Sequence, residues 1–235
     1  MQSGRFFNKS DHKDGIGRLA LFLGIFVIFS CQLAGGADLS HYRQFEFGMS
    51  SAEVSRLIGV ETSKVVIVHR RPALVEELQW IPYLYSGTVN GLDPVRDMVF
   101  RFLNGKLYRI LIHYDPQKTE GMTSADLTES ISRIYGVPGS LRPHSTLSLG
   151  DSESADIVAR WQDQQFSFSL VRTGYAGDFG LMAISKALDH NADLAIAEAV
   201  RLDEQERPAR EMQQAKDISL AKEKVRPVNK TNFRP

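Results

Sequence analysis

Side chains able to do chemistry are scattered along this chain, and their spacing excludes more than it offers. Histidines at 41, 69, 113, 144 and 190 never pair at metal-ligand spacing, so no metal or other cofactor is expected. Glu76 and Glu77 are adjacent; in a strand they point to opposite faces and cannot easily form an acid-base pair. Gly15-Ile16-Gly17-Arg18-Leu19-Ala20 fits the dinucleotide pattern G-x-G-x-x-A, but no strand precedes it and the run that follows is apolar. Gly150-Asp151-Ser152 matches the nucleophile block of one esterase class without a His-Asp motif downstream, and reads as a turn. The remaining route to catalysis is a site assembled from residues far apart in sequence, with His113, Asp115 and His144 as its members. Against that stands a binding role. Trp80, Tyr83 and Tyr85, with Pro82 between, lie beside the turn signals Ser86-Gly87 and Asn90-Gly91-Leu92-Asp93-Pro94. Amphipathic rings in a loop suit contact with a protein partner, the competing reading being that they cap the sheet's own core.

The segment that precedes all of these reads as a targeting element. Arg5, Lys9, Lys13 and Arg18 form a positive region ahead of the unbroken apolar run Leu19 to Phe29. Eleven residues at about 1.5 Å each span roughly half of a ~30 Å hydrocarbon core, which is the length of a signal-peptide core rather than of a comfortable membrane span. Gly35 and Ala37 then stand at the −3 and −1 positions of a signal-peptidase site before Asp38. The alternative counts residues 19–37 as one uncleaved membrane anchor. Cys31, the single cysteine, follows Ile28-Phe29-Ser30 and resembles a lipoprotein box, which implies lipidation at Cys31; Phe29 departs from that pattern. Beyond Cys31 there is no thiol, so disulfides, thiolate metal sites and cysteine nucleophiles are excluded from the exported domain.

The whole chain has 235 residues, 43% apolar and 24% charged, with 28 basic and 28 acidic side chains. That composition is globular, and its zero net charge removes the electrostatic case for a nucleic-acid partner. The average hides an internal repeat. Gly48-Met49-Ser50-Ser51-Ala52-Glu53-Val54 recurs as Gly121-Met122-Thr123-Ser124-Ala125-Asp126-Leu127. Ser50 and Thr123 can cap a helix while Glu53 and Asp126 reach back, as in a capping box. Val54, Leu57 and Ile58, closed by Gly59, give the first helix an apolar stripe; Leu127, Ile131, Ile134 and Tyr135 do the same before Gly136. Strands follow each helix. Val65 to Val68 is β-branched, and Met98 to Leu103 and Leu107 to Tyr114 flank Asn104-Gly105, a type I′ hairpin signal, with Phe100, Phe102, Leu107 and Ile110 or Leu111 on the buried face. After the second helix, Ile157 to Trp161 and Phe166 to Val171 form a hairpin about Asp163-Gln164. Phe166, Phe168 and Leu170 there alternate with a wet face of Gln165, Ser167 and Ser169. Leu181 to Ile184 closes the unit.

Gly-Met-Ser/Thr-x-x-Glu/Asp-Val/Leu, an apolar pair, Gly, and later Asn-Gly-Lys-Leu between strands resembles the small outer-membrane assembly lipoproteins of SmpA/OmlA type. A tandem pair of such units is similar to the β-lactamase-inhibitor-protein architecture. The resemblance covers roughly residues 42–186, and it implies an α+β fold with a sheet packed under helices, and binding rather than catalysis. The first copy lacks the Gly-x-Pro that Gly136-Val137-Pro138 keeps, and carries an insertion, Arg70 to Asp97.

The end of the chain changes character again. Residues 201–235 hold nine basic and six acidic side chains. Leu194, Ala197 and Val200 at helical spacing predict a helix from near Asp193 that docks by its first turns; Pro208 should bend or interrupt it, leaving a solvated helix or disordered arm beyond. The sequence therefore predicts an α+β protein of four segments: a signal or anchor over 1–37, α+β units over 38–118 and 119–188, and a charged helix and tail over 189–235. Its expected role is that of an exported, non-enzymatic envelope protein. It would hold a protein partner through its sheet face or aromatic insertion, and residues 19–37 could associate with a membrane. The alternative is an exported enzyme with its site between the two units.

Overall fold

The computed structural model describes residues 38–82, 94–142, 145–148, 154–173 and 178–234, all within the body formed by Gly36–Pro235. The expected cleavage site, Cys31 and the anchor segment lie outside the described residues, as do Tyr83, Tyr85, His144 and Gly150-Asp151-Ser152.

Each repeated heptad starts a helix as its chemistry requires. In α1 (Ser51–Ile58) the Glu53 amide donates to Ser50 Oγ at 3.2 Å and the Ser50 amide donates to Glu53 Oε2 at 2.8 Å. In α2 (Ser124–Tyr135) the Asp126 amide donates to Thr123 Oγ1 at 3.2 Å and the Thr123 amide donates to Asp126 Oδ2 at 2.7 Å. Free first-turn donors are thus satisfied by side chains at both helix starts. Gly59, at φ 68°, ends α1 in the left-handed region that a side chain would disfavour. Val54 and Ile58 on α1, and Leu127 and Ile131 on α2, are buried. Ile134, expected in the same stripe, is 70% exposed.

The strands form one antiparallel eight-stranded sheet in the order β3 (Val66–His69), β4 (Val75–Trp80), β5 (Val95–Leu103), β6 (Lys106–Tyr114), β10 (Phe179–Ser185), β9 (Phe166–Thr173), β8 (Ser154–Gln162) and β7 (Thr146–Ser148). A separate two-stranded ribbon pairs β1 (His41–Tyr42) with β2 (Phe45–Glu46). Asn104 and Gly105 join β5 to β6 with φ of 49° and 75°, as a type I′ turn demands. Asp163 Oδ1 accepts the amides of Gln165 and Phe166 and closes the β8–β9 turn.

One face of the sheet carries the main core. Trp80, Phe100, Phe102, Leu107, Ile110 and Phe168 are almost fully buried there, with α1 over β4 and α2 over β8. Near the β5–β6 turn Phe102 faces Leu107 but Arg101 faces Arg109, so Tyr108 is an extra residue in β6. The bulge puts Ile110 in the main core and Leu111 in a smaller cluster with Val171 and Met182 on the opposite face. That opposite face is not wet at β9. Ser167 and Ser169 are buried, and Ser169 Oγ accepts a bond from Arg160 Nε at 3.1 Å, so the arginine side chain occupies the space that water was expected to fill.

The C-terminal helix departs furthest from the sequence reading. α3 spans Lys186–Asn232, beginning directly after β10 and running through Pro208 and Pro227 without a break. Its docked side is Leu188, Ala192, Ala195 and Ile196 against Val75, Leu103 and Tyr108, whereas Leu194 and Val200, expected on that side, are exposed. From Arg207 onward every described residue is exposed, and Glu204 and Glu223, whose carbonyls the prolines leave without a helix donor, are both exposed residues. Roughly 40 Å of helix, at about 1.5 Å per residue, extends as a charged arm. Among the described residues no helix is long and apolar enough to cross a membrane.

Candidate binding surface

Both faces of the sheet carry packing of their own: α1 and α2 on one, the first turns of α3 on part of the other. Arg109 Nε donates to Asp189 Oδ1 at 2.7 Å and its Nη2 to Asp193 Oδ1 at 3.2 Å, which ties α3 to β6. Arg71, in the β3–β4 connection, pairs bidentately with Glu206 further along α3. The helix therefore holds the connection by which the chain leaves the sheet's edge.

That edge is β3, and it is unusual. Val66, Ile67 and Val68 are 61%, 38% and 47% exposed, although they sit in a strand and are β-branched. Successive strand residues face opposite sides, so exposure of all three means that neither face is covered here. Its pairing with β4 joins Val66 to Glu77 and Ile67 to Glu76, with a register irregularity before His69. Among the described residues, no strand pairs with its outer side. The 3-10 turn Thr62–Lys64 delivers the chain to β3, with the Val65 amide donating to the Thr62 carbonyl at 3.1 Å. Exposed Lys64 and Arg70 flank the apolar triplet. The opposite edge, β7, is three residues long and exposes Thr146 and Ser148. A short polar edge deters pairing with other chains, while an apolar β-branched edge invites it.

The residues singled out in the sequence fall elsewhere. Trp80 is 1% exposed within the main core and is therefore a packing residue rather than a surface contact. His113 and Asp115 take different hydrogen-bond partners. His113 Nδ1 lies 2.6 Å from Asp97 Oδ1, while Arg96 Nε donates to Asp97 Oδ2 at 2.9 Å and Arg96 Nη1 to Asp178 Oδ2 at 3.1 Å. Burial pushes the Asp97 carboxyl up, but the bonds from His113 and Arg96 outweigh it and hold the group below its usual range. Asp115 instead builds a turn, its Oδ1 accepting the Gln117 amide and its carbonyl the amides of Lys118 and Thr119. Among the described residues no group of histidines and carboxylates is arranged to hold a metal ion. Compared with protein-family models, with curated proteins and with solved structures, the chain finds no match in any of the three.

Proposed function

We propose that this protein is an exported, non-enzymatic binding module of a bacterial envelope, which holds a protein partner as an additional strand on the outer side of β3. The observation that carries the reading is the exposure of Val66, Ile67 and Val68 on an edge strand with no described neighbour on its outer side. Strand addition uses main-chain hydrogen bonds for affinity and alternating side chains for selectivity. A partner segment would accordingly be extended and β-branched where it meets the triplet, and acidic where it meets Lys64 and Arg70.

The module is proposed to consist of two related α+β units. Three features support this: the recurring heptad, the same capping box at both helices, and a strand order that reads alike from either edge to the central β6–β10 pair. The likeness of each unit's motif to envelope assembly lipoproteins agrees with binding in that compartment. Export rests on the positive region, apolar run and small residues of 1–37. N-terminal sequencing of the exported form distinguishes a start at Asp38 from a lipidated Cys31 or a retained segment.

Affinity capture from an envelope fraction tests the binding mode. A partner retained by the wild-type chain and lost by a Val66→Lys, Val68→Lys double variant, with melting temperature unchanged, is the expected result. Equal capture by both proteins would remove β3 from the interface, and turnover of substrates by the purified chain would overturn the non-enzymatic reading.

A further inference from the structure

α2 carries its apolar stripe further than the protein uses it. Leu127 and Ile131 are buried, but Ile134, one turn on, is 70% exposed beside a cavity of ≈ 520 Å3. Tyr114 of β6, Leu181 of β10 and Tyr42 of β1 line the cavity with these three. The size falls within the roughly 300–1,000 Å3 of ligand pockets.

The polar groups of the cavity decide what suits it. Thr119 Oγ1 donates to the Asp115 carbonyl at 3.1 Å and Ser130 Oγ to the Asp126 carbonyl at 2.8 Å. The Tyr42, Tyr114 and Tyr135 hydroxyls are held above their usual range by burial and stay neutral at physiological pH. Thr119 and Ser130 are thus partnered within the protein, and the three tyrosines add rings to an otherwise apolar wall. Asp38 and Arg43, the charged lining residues, belong with His41 to one short segment. Asp38 accepts the Ser40 amide at 2.9 Å and stands 3.4 Å from His41, while the Arg43 guanidinium lies 5.4 Å from the Tyr42 ring centre. A peptide placed inside would bring more amides and carbonyls than three tyrosine hydroxyls can pair, at a cost in free energy for each one left over. An alkyl chain brings none, and covers Ile134.

We infer that this cavity binds a single-chain amphiphile, with the alkyl chain against Leu127, Ile131, Ile134 and Leu181 and the polar head among residues 38–43. The site is separate from β3, and it does not depend on the strand-addition reading. Isothermal titration of the full chain with octanoate, decanoate and dodecanoate, each below its micellar concentration, tests it directly. One molecule binds per chain, and affinity rises roughly three- to fourfold with each added methylene, as burial of apolar surface requires. Dodecyl maltoside also binds, because the chain rather than the head's charge carries recognition. Ile134→Glu places a carboxylate against the bound chain and weakens dodecanoate by about tenfold or more. Since Ile134 is exposed, the melting temperature of that variant stays at the wild-type value, and the edge variant Val66→Lys binds dodecanoate normally. Absence of saturable binding, an affinity indifferent to chain length, or full affinity in Ile134→Glu would overturn the inference.

Discussion

At Gly180 the missing side chain is a requirement of the sheet. A Cβ there would stand 2.9 Å from the Ile112 carbonyl oxygen, a backbone atom of the neighbouring strand at the β6–β10 junction. Gly180→Ala should therefore cost about 1–3 kcal/mol in denaturant unfolding, since the backbone must shift to admit the methyl group. The tyrosines give a second prediction. Burial raises the Tyr42 and Tyr114 hydroxyls above their usual range; burial, with a smaller contribution from Tyr42, raises Tyr135 to about 12. In the unfolded chain all three titrate near about 10, so their contribution to stability is intact below that pH and is lost as pH rises through the folded values. Ultraviolet titration should show late-ionising tyrosines, with the denaturation midpoint falling from about pH 10 upward. The Asp97–His113 contact shows why a site is harder to read than a core. An uninterrupted two-residue hairpin about Asn104-Gly105 would set Asp97 opposite Ile112, whereas the extra Tyr108 sets it opposite His113. Both residue types were visible in the sequence; the bulge that pairs them was not.

Elements with local signals were legible, and those fixed by tertiary contacts were not. The two helix starts follow from Ser50-x-x-Glu53 and Thr123-x-x-Asp126 alone, and removing one cap by Thr123→Ala should cost about 1 kcal/mol. β4 carries no local signal: its six residues lie in what reads as an insertion, and pairing with β3 and β5 turns them into a strand. The docked side of α3 is likewise set by tertiary contacts. Its large residues Leu194 and Val200 suggested one docked side, but the alanines Ala192 and Ala195 allow close approach to the sheet, and the buried Asp189 finds Arg109 there. Asp189→Ala leaves the Arg109 charge buried with one partner lost, and should destabilise by about 3–5 kcal/mol in urea unfolding. Glu129→Ala, which breaks the solvent-exposed pair with Arg133, should leave the unfolding midpoint where it was.

For the whole molecule, the zero net charge of the chain conceals unlike parts, a positive N-terminal region, an apolar run, a densely packed sheet and a charged arm. The sheet's two ends differ in the same way. β7 is short and polar, while β3 exposes three β-branched residues and is held from behind by the Arg71 contact to α3. A run of valine and isoleucine in the sequence signals a strand, but not whether it lies at the centre or the edge; that follows only from the order of all eight strands. Hydrogen–deuterium exchange of the chain, alone and with its captured partner, tests the central claim most directly. Amides of residues 66–69 that point away from β4 should exchange freely in the isolated protein and become protected in the complex, with β7 unchanged. Protection that appears on another surface while residues 66–69 keep exchanging would contradict it.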